Sequence, residues 1–139
     1  MRNKKGFTLI EMLVVIAIIA VLVSIVIPVV GAATTKAEAA ADAANLRNVL
    51  GYMNTMLITQ EMTIDEATAS YEPSPCKLYP DAELYLLYTH PGFIDVYYKD
   101  GTNYYGLDYY SEMALEGTSS VSTSAPSIAV AHTWYKVGP

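Results

Sequence analysis

An uncharged apolar run near the start of this chain constrains the fold more than any other feature. From Met12 to Thr35 there is no charged residue, and from Met12 to Ile27 every side chain except Ser24 is apolar. An α-helix rises about 1.5 Å per residue, so this run is long enough to cross the ~30 Å hydrocarbon core of a bilayer. It is too long for an ordinary secretory signal peptide and ends without an Ala-x-Ala-type cleavage site. The sequence therefore predicts a membrane-spanning helix.

The charges around the run predict its orientation, and one of them needs a partner. Arg2, Lys4 and Lys5 precede the run, which predicts a cytoplasmic N-terminus and an exported C-terminal body. Glu11 lies at the head of the run, where a carboxylate is costly to bury unless a cation pairs with it. No Lys or Arg follows Glu11 before Lys36, so the pairing charge must be generated at the N-terminus or supplied by another molecule.

The segment around Glu11 carries a specific motif. A basic leader, a glycine, a phenylalanine, a small hydroxyl residue, two aliphatic residues and a glutamate follow one another as Lys4-Lys5-Gly6-Phe7-Thr8-Leu9-Ile10-Glu11. This arrangement resembles the processing site of type IV prepilins and pseudopilins. The resemblance implies that a prepilin peptidase cuts after Gly6 and N-methylates the new terminus at Phe7. It also implies that Glu11 is the assembly residue.

The resemblance further implies how processing leads to assembly. Cleavage creates an α-ammonium on Phe7 that is largely charged at neutral pH. In the family, the glutamate of one subunit pairs with the terminus of a neighbour, which implies a Glu11–Phe7 pair. Two charges that meet in a low dielectric set the register, because a one-turn slip leaves both unpaired. The implied partners are copies of the chain in a helical homopolymer, the prepilin peptidase and N-methyltransferase, an assembly platform with its ATPase, and the membrane before assembly.

Three positions in the run bear on the shape of the helix. Pro28 stands where many type IV pilins have a helix-kinking proline, and proline removes one backbone hydrogen bond and clashes with the preceding turn. Ala20 stands where many have a glycine, so melting of the helix between these two points is less expected. Ser24 either bonds back to a carbonyl and eases a bend, or is a tolerated small residue.

The expected fold class is α+β, with a long N-terminal α-helix packed on a small antiparallel β-sheet of three or four strands. Residues 1–6 are the leader peptide, 7–30 the membrane-spanning and filament-core half of the helix, 31–60 its amphipathic half, and 61–139 a globular region. The amphipathic half is predicted from an alanine-rich stretch and from a stripe of apolar residues at helical spacing: Leu46, Val49, Leu50, Met53, Met56 and Leu57.

The globular region begins with a short helix and continues as a sheet. Thr63 and Glu66 have capping-box spacing, which predicts a helix to about Ser70, and three prolines make 71–82 a loop. The predicted strands of an antiparallel meander are Leu84–Thr89, Phe93–Lys99, Asn103–Tyr110 and Ile128–Val137. The segment 111–116 is ambiguous between a short helix and a loop, and 117–127 is predicted to be a flexible loop. On strands, each tyrosine doublet places one ring in the core and one outward: Tyr97-Tyr98, Tyr104-Tyr105 and Tyr109-Tyr110.

The sequence does not indicate an enzyme, a cofactor or a metal site. Cys76 is the sole cysteine, so no intramolecular disulfide can form, and we expect it to be a buried small side chain. No nucleophile–base constellation is visible, since His90 precedes Pro91 at a turn and His132 lies in a predicted strand. The residues Asp100, Asn103 and Asp108 fit no calcium-loop template, so ordinary turn chemistry is the preferred interpretation.

Charge and topology together limit the function. Without the leader, five basic residues face fourteen acidic ones, a formal charge of about −9, which disfavours direct binding of nucleic acid. We expect a structural subunit of a type IV pilus, similar to a major pilin and serving adhesion or motility. The alternatives are a pseudopilin of a type II secretion or competence system, and a membrane-anchored extracellular binding domain that does not polymerise. The expected location is the cytoplasmic membrane, single-pass with the N-terminus inside, and a cell-surface filament after assembly.

Overall fold

The computed structural model describes residues 6–59, 62–89, 92–127 and 132–139. Along the chain these residues form α1 (Leu9–Thr59), α2 (Ile64–Ser70), β1 (Glu83–Thr89), β2 (Phe93–Asp100), β3 (Asn103–Tyr105), α3 (Leu107–Glu116) and β4 (His132–Lys136). The fold is α+β, a long helix packed on a four-stranded antiparallel sheet, as the sequence predicts. The chain divides into two compact units between Thr34 and Thr35.

The first unit contains the N-terminal part of α1. Every residue in 6–34 is exposed, including all the large aliphatic side chains of the apolar run. Within the described part of the chain, α1 is the single helix that is long and apolar enough to cross a membrane. A helix that is apolar on every face would expose all of its hydrocarbon surface to water, which is unfavourable. These side chains therefore require lipid or other protein around them.

The second unit is held together by the inner face of α1 against the sheet. Residues at three- and four-residue intervals on α1 are at most 2% exposed: Ala39, Ala43, Leu46, Val49 and Met53. Opposite them, the buried side chains of the sheet include Leu84, Leu86, Val96 and Tyr98. Each fully buried Leu, Val or Met contributes about 1.5–3 kcal/mol relative to an exposed one. The predicted stripe is confirmed, with Leu50, Met56 and Leu57 partly buried at its edge.

The strand order is β3-β2-β1-β4, with every pair antiparallel. The first three strands form the predicted meander. The fourth strand pairs with β1, so that Leu86 lies between Val96 of β2 and Tyr135 of β4. A complete four-stranded meander was therefore the wrong topology, because α3 and the long segment after it return the chain to the far edge of the sheet.

The predicted strand Asn103–Tyr110 is wrong beyond Tyr105. Gly106 is the N-cap of α3, which continues to Glu116. Leu107, Tyr110 and Met113 recur at the three-residue interval of a helix and pack against the core. Burial of this face outweighs the β-propensity of the tyrosines. The helical alternative for 111–116 is thus correct.

The tyrosine doublets follow the elements that carry them. On β2, Tyr98 is 1% exposed while Tyr97 is half-buried on the opposite face, and on β3, Tyr105 is buried while Tyr104 is half-buried. These two doublets divide between the faces as predicted. The doublet at 109–110 does not, because both rings are buried on α3.

The segments around α2 agree with the sequence. Thr63 is the N-cap of α2, its hydroxyl accepts the Glu66 N–H, and the Glu66 carboxylate accepts the Thr63 N–H at 2.9 Å. The predicted capping box is therefore present. Residues 71–82 contain no helix or strand, as three prolines predict.

A buried carboxylate fastens the 71–82 loop to the long helix. Asp42 of α1 is 0% exposed and accepts the backbone N–H of Lys77 at 2.7 Å and that of Leu78 at 3.0 Å. The Cys76 thiol donates to the same carboxylate, and its sulfur lies 3.0 Å from the hydroxyl oxygen of Tyr110. Cys76 is buried, as predicted, and it joins α1, the loop and α3.

Candidate assembly site at the N-terminus

The start of α1 is fixed by Thr8 and Glu11. The helix begins at Leu9, two residues after the predicted start at Phe7, because Thr8 serves as the N-cap. The Thr8 N–H donates to Glu11 Oε2 at 2.7 Å, and the Thr8 hydroxyl donates to the same oxygen at 2.8 Å. The Glu11 N–H donates to Thr8 Oγ1 at 3.3 Å. This reciprocal pair is a capping box, which satisfies two N–H groups that the helix itself cannot.

The same box occurs at the start of α2 with nearly identical geometry. There the Thr63 hydroxyl donates to Glu66 Oε2 at 2.8 Å and the Glu66 N–H donates to Thr63 Oγ1 at 3.3 Å. The sequence predicted the second box and missed the first, although Thr8-x-x-Glu11 has the same Ser/Thr-x-x-Glu spacing. Thr8 is therefore a site residue that pattern reading alone can find.

The residues on either side of the expected cleavage point are accessible. Phe7 is 81% exposed, and a Cβ added at Gly6 would meet no atom within 4 Å. Phe7, Ile10 and Val14 line a shallow apolar hollow of about 400 Å³ that also includes Glu11. Phe7 is thus not packed against the rest of the described chain, and the roles of Gly6, Phe7 and Glu11 stay predictions.

The middle of the apolar run contains the predicted backbone contact of Ser24. Its hydroxyl donates to the Val21 carbonyl at 2.7 Å, so the back-bonding interpretation is confirmed. Pro28 lies inside α1, which is helical on both sides of it. Since proline cannot donate to the carbonyl four residues earlier, one helical hydrogen bond is missing there. A kink at Pro28 stays a prediction.

Four other residues singled out in the sequence have no assigned role in the described structure. Lys4, Lys5 and His90 fall outside the described residues, and His132 is an exposed residue of β4.

The three calcium candidates lie on the β2–β3 hairpin and at the start of α3. Asp100 and Asn103 face each other across the β2–β3 hairpin, while Asp108 lies in the first turn of α3. Among the described residues, no group of three or more His, Cys, Asp or Glu side chains is placed to hold a metal ion.

Comparison with known proteins bears on the N-terminal segment. The family model described as the prokaryotic N-terminal methylation motif matches residues 1–27, which include Gly6, Phe7 and Glu11. No curated protein and no solved structure matches the chain. The motif, a leader of the type IV prepilin kind, implies processing by a prepilin peptidase, and with the apolar helix it fits membrane anchoring. The N-terminal segment is therefore similar to that of type IV pilin-like proteins, a broad class that contains pilins and pseudopilins.

Proposed function

We propose that this protein is a structural subunit of a type IV pilus, similar to a major pilin and serving adhesion or motility. In this proposal the prepilin peptidase cuts after Gly6 and methylates Phe7. The mature chain then waits in the cytoplasmic membrane, and an ATPase-driven platform draws it into a helical homopolymer through residues 7–30.

The observation that carries the proposal is the composition and exposure of 6–34. All of these residues are exposed, and Glu11 is the single charged residue among them. Such a surface is satisfied by lipid before assembly and by the equivalent helices of other subunits afterwards. A plain membrane anchor needs the same apolar surface, but it has no use for a carboxylate at its head.

The Thr8–Glu11 box is compatible with a pairing between subunits. An ionised carboxylate has roughly four lone-pair sites on two oxygens. The Thr8 N–H and hydroxyl both donate to Oε2, and the box holds the side chain at the first turn of α1. The second oxygen of Glu11 can then accept a hydrogen bond from the α-ammonium of Phe7 of a neighbouring subunit. The capping box would thus orient the carboxylate that sets the register.

The abundance and mass of the filament component test this proposal. Filaments are sheared from the cell surface, and the intact mass of their principal component is measured. We expect a dominant mass equal to Phe7–Pro139 plus one methyl group. The same species confined to the membrane fraction would favour a pseudopilin, and an uncut chain from Met1 would favour an anchored binding domain.

A matched pair of variants separates the charge of Glu11 from its capping role. Glu11→Gln keeps a side chain that can complete the box but removes the charge. Glu66→Gln makes the same change in the equivalent box of α2, outside the apolar run. We expect Glu11→Gln to abolish sheared filaments, while Glu66→Gln leaves them at the wild-type amount. Normal filaments from Glu11→Gln would contradict the proposed pairing.

A further inference from the structure

A cleft opens on the face of the sheet that points away from α1. It has a volume of about 500 Å³, within the usual range of small-molecule sites. Tyr97 of β2 and Tyr104 of β3 line one side of it, and the first turn of α3 lines the end. The other side is lined by 121–122 and 124–127. Most buried side chains of the sheet, such as Val96 and Tyr98, lie on the opposite face, while Leu87, which pairs with Asp95, is buried on this face.

The rings of Tyr97 and Tyr104, which line the cleft, pack against a third ring, that of Trp134. The centroid of Trp134 lies 5.7 Å from that of Tyr97 and 5.1 Å from that of Tyr104. The Tyr97 hydroxyl donates to Asp95 Oδ2 at 2.7 Å, which fixes the orientation of the ring. A Cβ at Gly106 would come within 2.8 Å of the Tyr97 ring, so the ring lies directly against the backbone there. These contacts hold an aromatic surface in place before any ligand arrives.

The opposite side of the cleft is held by hydrogen bonds of the serine- and threonine-rich segment. The Tyr104 N–H donates to the Thr123 carbonyl at 2.7 Å and so attaches this segment to the edge of β3. The Glu112 carboxylate accepts the hydroxyls of Ser119 and Ser120, each at 2.9 Å. A segment fastened at these points presents its neighbouring serine hydroxyls to the cleft with little further loss of conformational entropy.

The charges around the cleft limit the ligand. Asp95 and Asp108 line it, and none of the described residues that line it is a Lys or Arg, so an anionic ligand would be repelled. Lys99 does not line the cleft, but its ammonium lies 5.5 Å from the centre of the Tyr104 ring, so a cation placed on that ring would be repelled. An uncharged ligand rich in hydroxyl groups avoids both penalties.

We propose that this cleft binds an uncharged saccharide, one hexose or N-acetylhexosamine unit of a glycan chain. The C–H face of a pyranose ring would pack on Tyr97 and Tyr104, which offer large, rigid apolar faces. Hydroxyl groups of the sugar would donate to Asp108, in charge-assisted hydrogen bonds stronger than neutral ones. The site does not depend on polymerisation, although a filament would repeat it along its length and increase the avidity for a glycan-coated surface.

Trp134 provides the measurement, since it is the sole tryptophan and contacts both cleft tyrosines. The full-length protein is kept in a detergent without a sugar headgroup and titrated with glucose, galactose, N-acetylglucosamine and N-acetylgalactosamine. We expect a saturable change in tryptophan fluorescence with at least one of them, and saturation-transfer NMR signals from the C–H groups of the same sugar. No saturable change up to about 10 mM, or tighter binding of sialic acid or of a lysine-rich peptide, would overturn the proposal.

A matched pair of variants locates the binding. Asp108 and Asp65 are both exposed acids in the first turn of a helix, and Asp108 alone of the two lines the cleft. We expect Asp108→Asn to weaken sugar binding at least about tenfold and Asp65→Asn to leave it unchanged. Gly106→Ala, which displaces the Tyr97 ring, should weaken it as well. Equal affinity of Asp108→Asn and Asp65→Asn would place the binding elsewhere and overturn the proposal.

Discussion

The thiol of Cys76 donates to a carboxylate oxygen of Asp42 at 3.2 Å, although 34 positions separate the two residues. The same carboxylate accepts two backbone N–H groups of the loop that carries Cys76. Because Cys76 is the sole cysteine, no disulfide can secure this loop. A hydrogen-bonded aspartate on α1 fastens it instead.

Replacing Asp42 should therefore destabilise the second unit. Asp42→Ala leaves the part-buried N–H groups of Lys77 and Leu78 without their acceptor, and an unsatisfied donor costs roughly 1–3 kcal/mol. We expect the free energy of unfolding to fall by about 2–5 kcal/mol, measured by urea unfolding of the full-length protein in detergent with Trp134 fluorescence. Asp81→Ala, at an exposed position of the same loop, should change it by less than about 0.5 kcal/mol. Equal effects would contradict the anchoring role.

Cys76 should react slowly with alkylating reagents while the protein is folded. Its side chain is 2% exposed, and burial raises the pKa of the thiol to about 11, so little thiolate is present near neutral pH. Mass spectrometry after iodoacetamide treatment should show an almost unmodified native protein and full labelling in denaturant. Asp42→Asn should label faster than wild type, because the loop is then less firmly held. Equal labelling of native and denatured wild type would contradict the buried position.

The sequence predicted most elements of the fold because their signals are local. Each signal determines structure within a few positions of the chain. Examples are the capping residues Thr63 and Glu66, the stripe on α1 and the turn residues between strands. The start of α3 was missed because a tyrosine-rich segment has β-propensity, and what decides its state is burial of Tyr110 against the rest of the core. The helical spacing of Leu107, Tyr110 and Met113 was the available signal.

The sequence identifies the N-terminal site but not the role of Asp42, for a related reason. Gly6, Phe7 and Glu11 form a contiguous motif, so the sequence identifies them without any knowledge of the fold. The role of Asp42 depends on backbone groups of a loop distant in the sequence, and a polar residue on a helix normally indicates the solvent face. The spacing of Asp42, three residues after Ala39 and four before Leu46, places it on the buried stripe, but no pattern within α1 indicates which groups its carboxylate accepts.

Alkaline pH should destabilise the second unit. Burial raises the pKa of the Cys76 thiol from 9.0 to about 11, and burial followed by the contact with Cys76 raises the pKa of Tyr110 above its usual value. A group whose pKa is higher in the folded state stabilises the folded protein. This stabilisation is complete at pH values below the unfolded-state pKa and is lost as the pH rises through the folded-state pKa. For Cys76 the loss falls between pH 9.0 and about 11. Unfolding free energies measured across this range should decrease.

The alkaline effect can be assigned to the buried groups with one variant. In Cys76→Ala the thiol no longer titrates, so the decrease in unfolding free energy across this pH range should be smaller than in wild type. A tyrosinate absorbance titration should also show some tyrosines ionising only as the protein unfolds, while all ionise together in denaturant. A pH-independent stability of the wild type would contradict the assigned shifts.

Processing should depend on Gly6 for reasons that lie in the peptidase and not in the fold. A methyl group added at Gly6 meets no atom within 4 Å, so Gly6→Ala should leave the folded protein intact. We expect the precursor to remain uncut, as an intact mass that still begins at Met1. Gly51→Ala is the control, since Gly51 is an exposed position of α1 with equally open space. It should be processed normally and gain about 0.5–1 kcal/mol of stability from helix propensity. A shortened, methylated Gly6→Ala protein would show that cleavage follows another rule.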